Sequence, residues 1–378
     1  MRDFYIIDTT LRDGEQSPGV AFLKKEKIEI ANALNEAGVD YIEVGIPVMG
    51  KEEKESIREI ISMNLSSKIL TWNRMNKYDI DESLSCGSKH VHIAVPSSDI
   101  HIFKKIKKDR QWVISKLDAI VSYAIKKGCI VSVGAEDASR ADEEFLIKLY
   151  KTAVNAGAIR LRYADTLGIL TPNKTFNAIE RIVNEINVDL DFHAHNDFGL
   201  ATANTLSAFE AGAKYFSCSI SNLGERAGNT ALEEIISTLK ILLKCNHPFN
   251  LKKVMGLSKI VQDASGRVLG DNKPIVGEYI FSHESGIHVD GLLKDLSTYE
   301  AFPPEVVGRK RQIILGKFSG SSSIIHALKE RNVLINKKEA DLILQEIRRS
   351  YMHDKKPDIE SILQKWIHLL QKSEISSF

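Results

Sequence analysis

The chain has 378 residues, 43% of them hydrophobic and 27% charged, with a formal net charge of +1. This is an ordinary globular composition, sized for a barrel-scale domain plus an extension. The near-neutral balance excludes a field that would draw nucleic acid or an acidic membrane. No apolar stretch is long enough to span a bilayer and no signal peptide precedes the first strand, so a cytoplasmic protein is expected.

Phe4 to Ile7 is a short aromatic and β-branched run, strand-like, and it delivers the polar cluster Asp8-Thr9-Thr10-Leu11-Arg12-Asp13-Gly14-Glu15-Gln16 at a strand end. Alternation follows. Strands are expected near 4–8, 41–45, 68–72, 90–95, 130–135, 159–163, 190–194 and 215–219. Helices are expected near 24–37, 51–62, 77–86, 110–127, 141–156, 173–186, 199–211 and 229–244, several ended by a glycine such as Gly38, Gly128, Gly157 or Gly212. Such βα units close into a (β/α)8 TIM barrel over residues 1–250. An open doubly wound sheet would carry a glycine-rich phosphate loop after its first strand, where this chain has a charged cluster. Residues 251–378 read as a linker and a mostly helical C-terminal extension: helical over 250–275, a polar loop over 281–291, a Pro303-Pro304 turn, and helix again over 320–372. Cys86, Cys129, Cys218 and Cys245 have no CxxC spacing and read as reduced small hydrophobes. The basic run at 104–108 reads as a solvated face, with phosphate binding as the sharper alternative.

The polar motifs fall at C-terminal strand ends, the end that carries chemistry in barrels. His193-Ala194-His195 places two imidazoles on one side of a strand, because residues i and i+2 share a face. With Asp13 as carboxylate and Asn229 in the loop after the last strand, they make a mixed N/O set suited to Zn²⁺, Mn²⁺ or Mg²⁺. Thr166 is a candidate donor to a bound carboxylate. Arg162 shares its strand parity and can meet a substrate or lie on the outer face. Glu43, Glu136 and Asp137 are each open to three readings: a base, a carboxylate behind the site, or a partner for Arg12 or Arg140. His283 and His288 lie in a glycine-flanked polar loop suited to proton transfer.

Together these motifs resemble the acyl-CoA-condensing branch of the metal-dependent aldolase/lyase barrels, which holds 2-isopropylmalate, citramalate and homocitrate synthases. The matching stretches are 8–16, 193–197, 224–229 and 283–288. The resemblance implies metal ligands at Asp13, His193 and His195, with Asn229 beside them. It implies that Arg12 polarises the keto acid, that Thr166 touches its carboxylate, and that Glu136, His288 and Tyr299 form the acid/base group; Gln16, near Arg12, then reads as a neighbour that touches substrate or holds the loop. It also implies a homodimer with composite active sites, the segment holding His288 and Tyr299 reaching over the partner's barrel. The lyase branch carries a cysteine where this chain has Gly224-Glu225-Arg226. Residues 131–140, 160–166 and 288–294 look like the nitrogenase-associated homocitrate synthases, and few residues follow Gly320, so no regulatory domain is expected. The expected reaction is condensation of acetyl-CoA with 2-oxoglutarate, followed by thioester hydrolysis, with Arg162 holding the distal carboxylate. The alternatives are a sister synthase using 2-oxoisovalerate or pyruvate and, more remotely, an inactive keto-acid-binding barrel.

Overall fold

A computed structural model describes residues 3–375. Eight parallel strands, β1 (Tyr5–Asp8), β2 (Tyr41–Gly45), β3 (Lys68–Arg74), β4 (His90–Pro96), β5 (Ile130–Glu136), β6 (Arg160–Asp165), β7 (Asp189–Ala194) and β8 (Tyr215–Cys218), pair in chain order and close when β1 meets β8. The intervening helices are α1 (Lys24–Ala37), α2 (Lys51–Ser62), α3 (Lys77–Ser85), α4 (Arg110–Lys126), α5 (Glu143–Asn155), α6 (Pro172–Glu185), α7 (Ala201–Glu210) and α8 (Leu232–Ser237). This is the expected (β/α)8 barrel. Local chemistry sets the helix starts: the carboxylates of Asp109 and Asp142 accept from Trp112 N and Phe145 N, satisfying amides that the first turn leaves unpaired.

Period-two alternation sorts the strand residues. One set, including Ile42, Val44, Val91, Ile93, Val131, Val133, Leu161 and Phe216, is fully buried and apolar and forms the layer under the helices. The other set fills the barrel and is largely polar: Glu43, His92, Ser132, Arg162, Asp191, His193 and Ser217 are all buried. Most barrels fill that space with branched apolar side chains.

Three expectations are corrected. The helix foreseen over 229–244 begins at Leu232 and widens into a π turn at Thr238–Leu242. Residues 229–231 stay extended because Asn229 bridges His195 and Ala231 bridges Ser219. The helix foreseen over 250–275 is a 3₁₀ turn at Leu251–Lys253 leading into α9 (Val254–Ser265), which is stopped by Gly266 in the left-handed region at φ 66°. The polar loop foreseen over 281–291 is instead a two-residue strand, β9 (Ser282–His283), then a helix, α10 (Gly286–Lys294), which buries Val289 and Leu292. Beyond them, β10 (Gln312–Ile313) pairs with β9. Then α11 (Ser321–Lys329), α12 (Lys337–Ser350) and α13 (Ile359–Ile375) form the foreseen helical end.

The chain divides into two compact units, residues up to 269 with 274–276, and residues 270–273 with 277 onward. In the first, α9 packs against α1. The second has its own core of Ile324, Leu328, Ile343, Leu344, Ile347 and Leu363. Among the described residues no helix is long and apolar enough to cross a membrane. The four cysteines are free, three of them buried.

Candidate active site

His193 is the penultimate residue of β7 and His195 lies just past its end, both on the inner face, next to Asp13 in the turn after β1. Their Nε2 atoms lie 3.0 and 3.8 Å from Asp13 Oδ2. One donor atom from each of the three residues falls within 4.8 Å of the others, and all three are buried. Asn229, fully buried, donates from Nδ2 to Asp13 Oδ2 at 3.1 Å. Among the described residues, the Asn229 Oδ1 and the Nδ1 atoms of both histidines find no hydrogen-bond partner, though all three are buried. Orphaned acceptors around a carboxylate are costly in a dry site unless something else satisfies them. A divalent cation with mixed N/O preference fits that set.

Charge in the site agrees with this donor chemistry. Burial alone would raise the Asp13 carboxyl. Arg12 and the two histidines outweigh it and hold Asp13 well below the usual carboxylate range. Burial, helped by His193, pushes His195 down to about 4, so its imidazole is neutral near pH 7. Two glycines admit the geometry. Gly168 has φ 60°, and a Cβ there would lie 2.7 Å from the His195 carbonyl oxygen. Gly228 has φ 85°, and a Cβ would lie 1.8 Å from the Asn222 carbonyl oxygen.

Below this cluster an ion-pair chain crosses the barrel. Arg12 Nε donates to Glu43, and its Nη1 lies 3.4 Å from Asp13 and 3.5 Å from the Gln16 side-chain oxygen. Arg162 on β6 reaches the opposite strand, with Nη2 2.9 Å from Glu43 Oε2, and its Nε is 2.5 Å from Asp191 on neighbouring β7. Ser217 donates to Asp191 at 3.0 Å. Burial works against these charges, but the pairing outweighs it: Glu43 is held well below its ordinary pKa and Arg162 above its own. Burial, then Arg162, holds His92 well below its usual value, so it is neutral; its Nδ1 is 2.9 Å from Ser132 Oγ. One layer down, Arg160 is stacked between Tyr41 and Tyr215, at 4.5 and 4.7 Å from the ring centres.

A cleft of about 260 Å³ is lined by Arg12, Asp13, Gln16, Glu136, Arg162, Thr166, His193 and His195, with Trp72, His92 and Ala94 among its walls. The Thr166 hydroxyl accepts from Asp137 N at 2.9 Å, leaving its own proton to donate. Asp137 is held by Arg140, as one reading of that carboxylate had it, and Glu136 is met by Lys105 at 2.6 Å. His288 and Tyr299 lie in the second unit, where their rings stack at 4.2 Å.

Residues 3–261 match the model of the HMGL-like family, and residues 275–356 match the homocitrate synthase post-HMGL domain-like family. The chain belongs to the HMGL-like family. It is 47% identical to 2-isopropylmalate synthase 2 of Caldanaerobacter subterraneus subsp. tengcongensis, over 93% of this chain and 92% of that one. It is 41% identical to homocitrate synthase 1 of Nostoc sp., over 94% of each chain. Among solved structures, an HMG-CoA lyase from Bacillus subtilis superposes with a TM-score of 0.65 at 20% identity, covering 71% of this chain and 96% of that one, which shows the shared fold.

Within this HMGL-like barrel, sequence reasoning missed Asp191 and His92. Asp191, His193 and His195 have one strand parity, so the pattern Asp-x-His-x-His carried the signal for a third inward polar group. His92 had the corresponding signal in His90-Val91-His92 on β4.

Proposed function

We propose that the protein condenses acetyl-CoA with a small 2-oxo acid and hydrolyses the resulting thioester. The observation that carries this reading is the convergence of Asp13, His193 and His195 beside Arg12 in one cleft. Asp13, His193 and His195, with Asn229 at hand, would hold a divalent cation, Zn²⁺, Mn²⁺ or Mg²⁺. When bound, the ion supplies Lewis-acid polarisation of a ketone. The protein's own groups do the rest. Arg12 donates to the keto acid's oxygens and stabilises the negative charge that forms on the ketone oxygen, and Thr166 donates to its carboxylate. Gln16 holds the Arg12 side of the cleft. A base from the group Glu136, His288 and Tyr299 takes a proton from the acetyl methyl. The carbanion's electron pair forms the new C–C bond at the ketone carbon, whose oxygen takes up a proton. Water then cleaves the C–S bond, giving a carboxylate and free CoA thiol. The proposal includes a homodimer in which Glu136 of one chain works with the partner's His288 and Tyr299. The ring stack of that pair supports their acting together.

For the 2-oxo acid, the charges favour a single carboxylate, as in 2-oxoisovalerate or pyruvate. Arg162, the expected holder of a distal carboxylate, is already matched by Glu43 and Asp191, and Arg12 by Glu43 and Asp13. Neither is a spare cation for a second carboxylate. The 47% identity to a 2-isopropylmalate synthase supports the same choice. The homocitrate reading, with 2-oxoglutarate, keeps one observation in its favour: Arg162 does line the cleft.

The test is CoA thiol release from acetyl-CoA with pyruvate, 2-oxoisovalerate or 2-oxoglutarate, with and without a chelator. Turnover with one of the two monocarboxylates, abolished by chelation and restored by Mn²⁺ or Zn²⁺, is expected. Faster turnover with 2-oxoglutarate reverses the choice of substrate, and no turnover with any of the three refutes the function.

A further inference from the structure

The segment after β4 is folded onto Glu136. Ser97 donates from N and Oγ to the Glu136 carbonyl oxygen, at 3.0 and 2.7 Å, and Ser98 Oγ donates to Asp137. The chain then makes a π turn at Ile100–Lys105, anchored by fully buried Ile102 and by His101 N, which donates to Ser98 Oγ at 3.2 Å. Asp99 and Arg110 close its base with a two-pronged pair at 2.8 and 2.9 Å. π turns of this kind recur at functional sites because they displace side chains from a regular helical path.

The turn places two groups at the Glu136 carboxylate. Lys105 Nζ donates to Oε1 at 2.6 Å, and His101 Nδ1 lies 3.8 Å from Oε2. Among the described residues, Lys105 is the only hydrogen-bond donor to that carboxylate. Four lysines stand in the run 104–108, and this one is turned to a cleft residue. The pair is half open to water, with side-chain exposures of 52% and 30%. Exposed pairs of this kind add little to stability. Their geometric effect is a different matter, because a misplaced catalytic group costs rate steeply.

We propose that Lys105 is a positioning residue for Glu136, holding its carboxylate in the orientation from which it exchanges a proton with the acetyl methyl of acetyl-CoA. The inference rests on Glu136 belonging to the acid/base group.

The test compares Lys105→Met, Lys105→Arg and Glu136→Gln in the full chain, with acetyl-CoA and whichever of the three 2-oxo acids gives turnover. Lys105→Met is expected to lower kcat about tenfold, the scale of a general-base contribution partly lost. KM for the 2-oxo acid should stay within about twofold, since its contacts are made elsewhere. Lys105→Arg should recover most of the rate. With trideuterated acetyl-CoA the isotope effect on kcat should rise in Lys105→Met, because proton transfer becomes slower; a merely structural lysine would not move it. Lys104→Met, on an exposed neighbour, should match the wild type. An unchanged kcat and isotope effect in Lys105→Met overturns the proposal. So does a rise in the acetyl-CoA KM alone, which would make Lys105 a phosphate contact. If Glu136→Gln keeps the wild-type rate, the acid/base reading itself has failed. If Glu136→Gln is inactive while Lys105→Met is normal, only the positioning role has failed.

Discussion

Arg162 shows how a residue's apparent purpose changes with its surroundings. On a strand facing a cleft, an arginine is a ready carboxylate receptor. Here two buried carboxylates, Glu43 and Asp191, already occupy it. Removing one member of a buried ionic set strands the others, at a cost of about 3–5 kcal/mol. Arg162→Met is therefore expected to lose stability on that scale in urea denaturation, whatever it does to substrate affinity. Adding Asp191→Asn should recover part of the loss, since it removes one of the stranded charges. A single Arg162→Met variant as stable as the wild type would refute the clamp.

At the scale of elements, the turns at the strand ends fix the donors more than the strands do. The loop after β8 is the clearest case. Gly228 sits at φ 85° with the Asn222 carbonyl oxygen in the place of a side chain, and its own carbonyl accepts from Asn196 N at 2.8 Å. Asn229, next in the chain, meets Asp13. Gly228→Ala must move that loop, and groups beside a metal ligand typically contribute 10- to 100-fold in affinity. A loss of at least about tenfold in Mn²⁺ or Zn²⁺ affinity is expected by calorimetric titration. Unchanged affinity would show that the loop does not support the cation site. The partner of Gly228 was not legible in the sequence, because the clash is with a residue six positions away and is set by the fold of the turn.

For the whole molecule, the barrel was legible because its eight apolar runs keep a strand period and several of its helices are followed by a glycine. The cluster at Asp13, His193 and His195 was legible because strand parity and the common C-terminal end constrain it. The Arg162–Glu43 contact was not, since it joins residues 119 apart that meet only because β2 and β6 face each other once the sheet closes. Helix α10 was hidden because glycines and polar residues mask the short spacing from Val289 to Leu292. Global stability carries a signature of the first strand as well. Burial raises the Asp8 carboxyl to about 7 from its ordinary 3.8. A raised acid pKa means that between about pH 4 and 7 the folded form holds a proton which the unfolded chain has released, so stability falls as pH rises through that window and is level above it. Relative to Asp8→Asn, the wild type should lose up to about 4 kcal/mol between pH 4 and 7.5, read from denaturant midpoints at each pH. Parallel curves for the two proteins would show that Asp8 ionises normally.

The ion pairs that cross the barrel have one more consequence. Arg162, Glu43 and Asp191 act as a rivet between opposing staves, and all three are strand residues. Much of the electrical setting of the cleft is thus written into the barrel strands, while the uncharged walls Trp72 and Ala94 take no part in those ion pairs. A barrel wired this way can exchange its uncharged walls without rebuilding the frame that holds its charges.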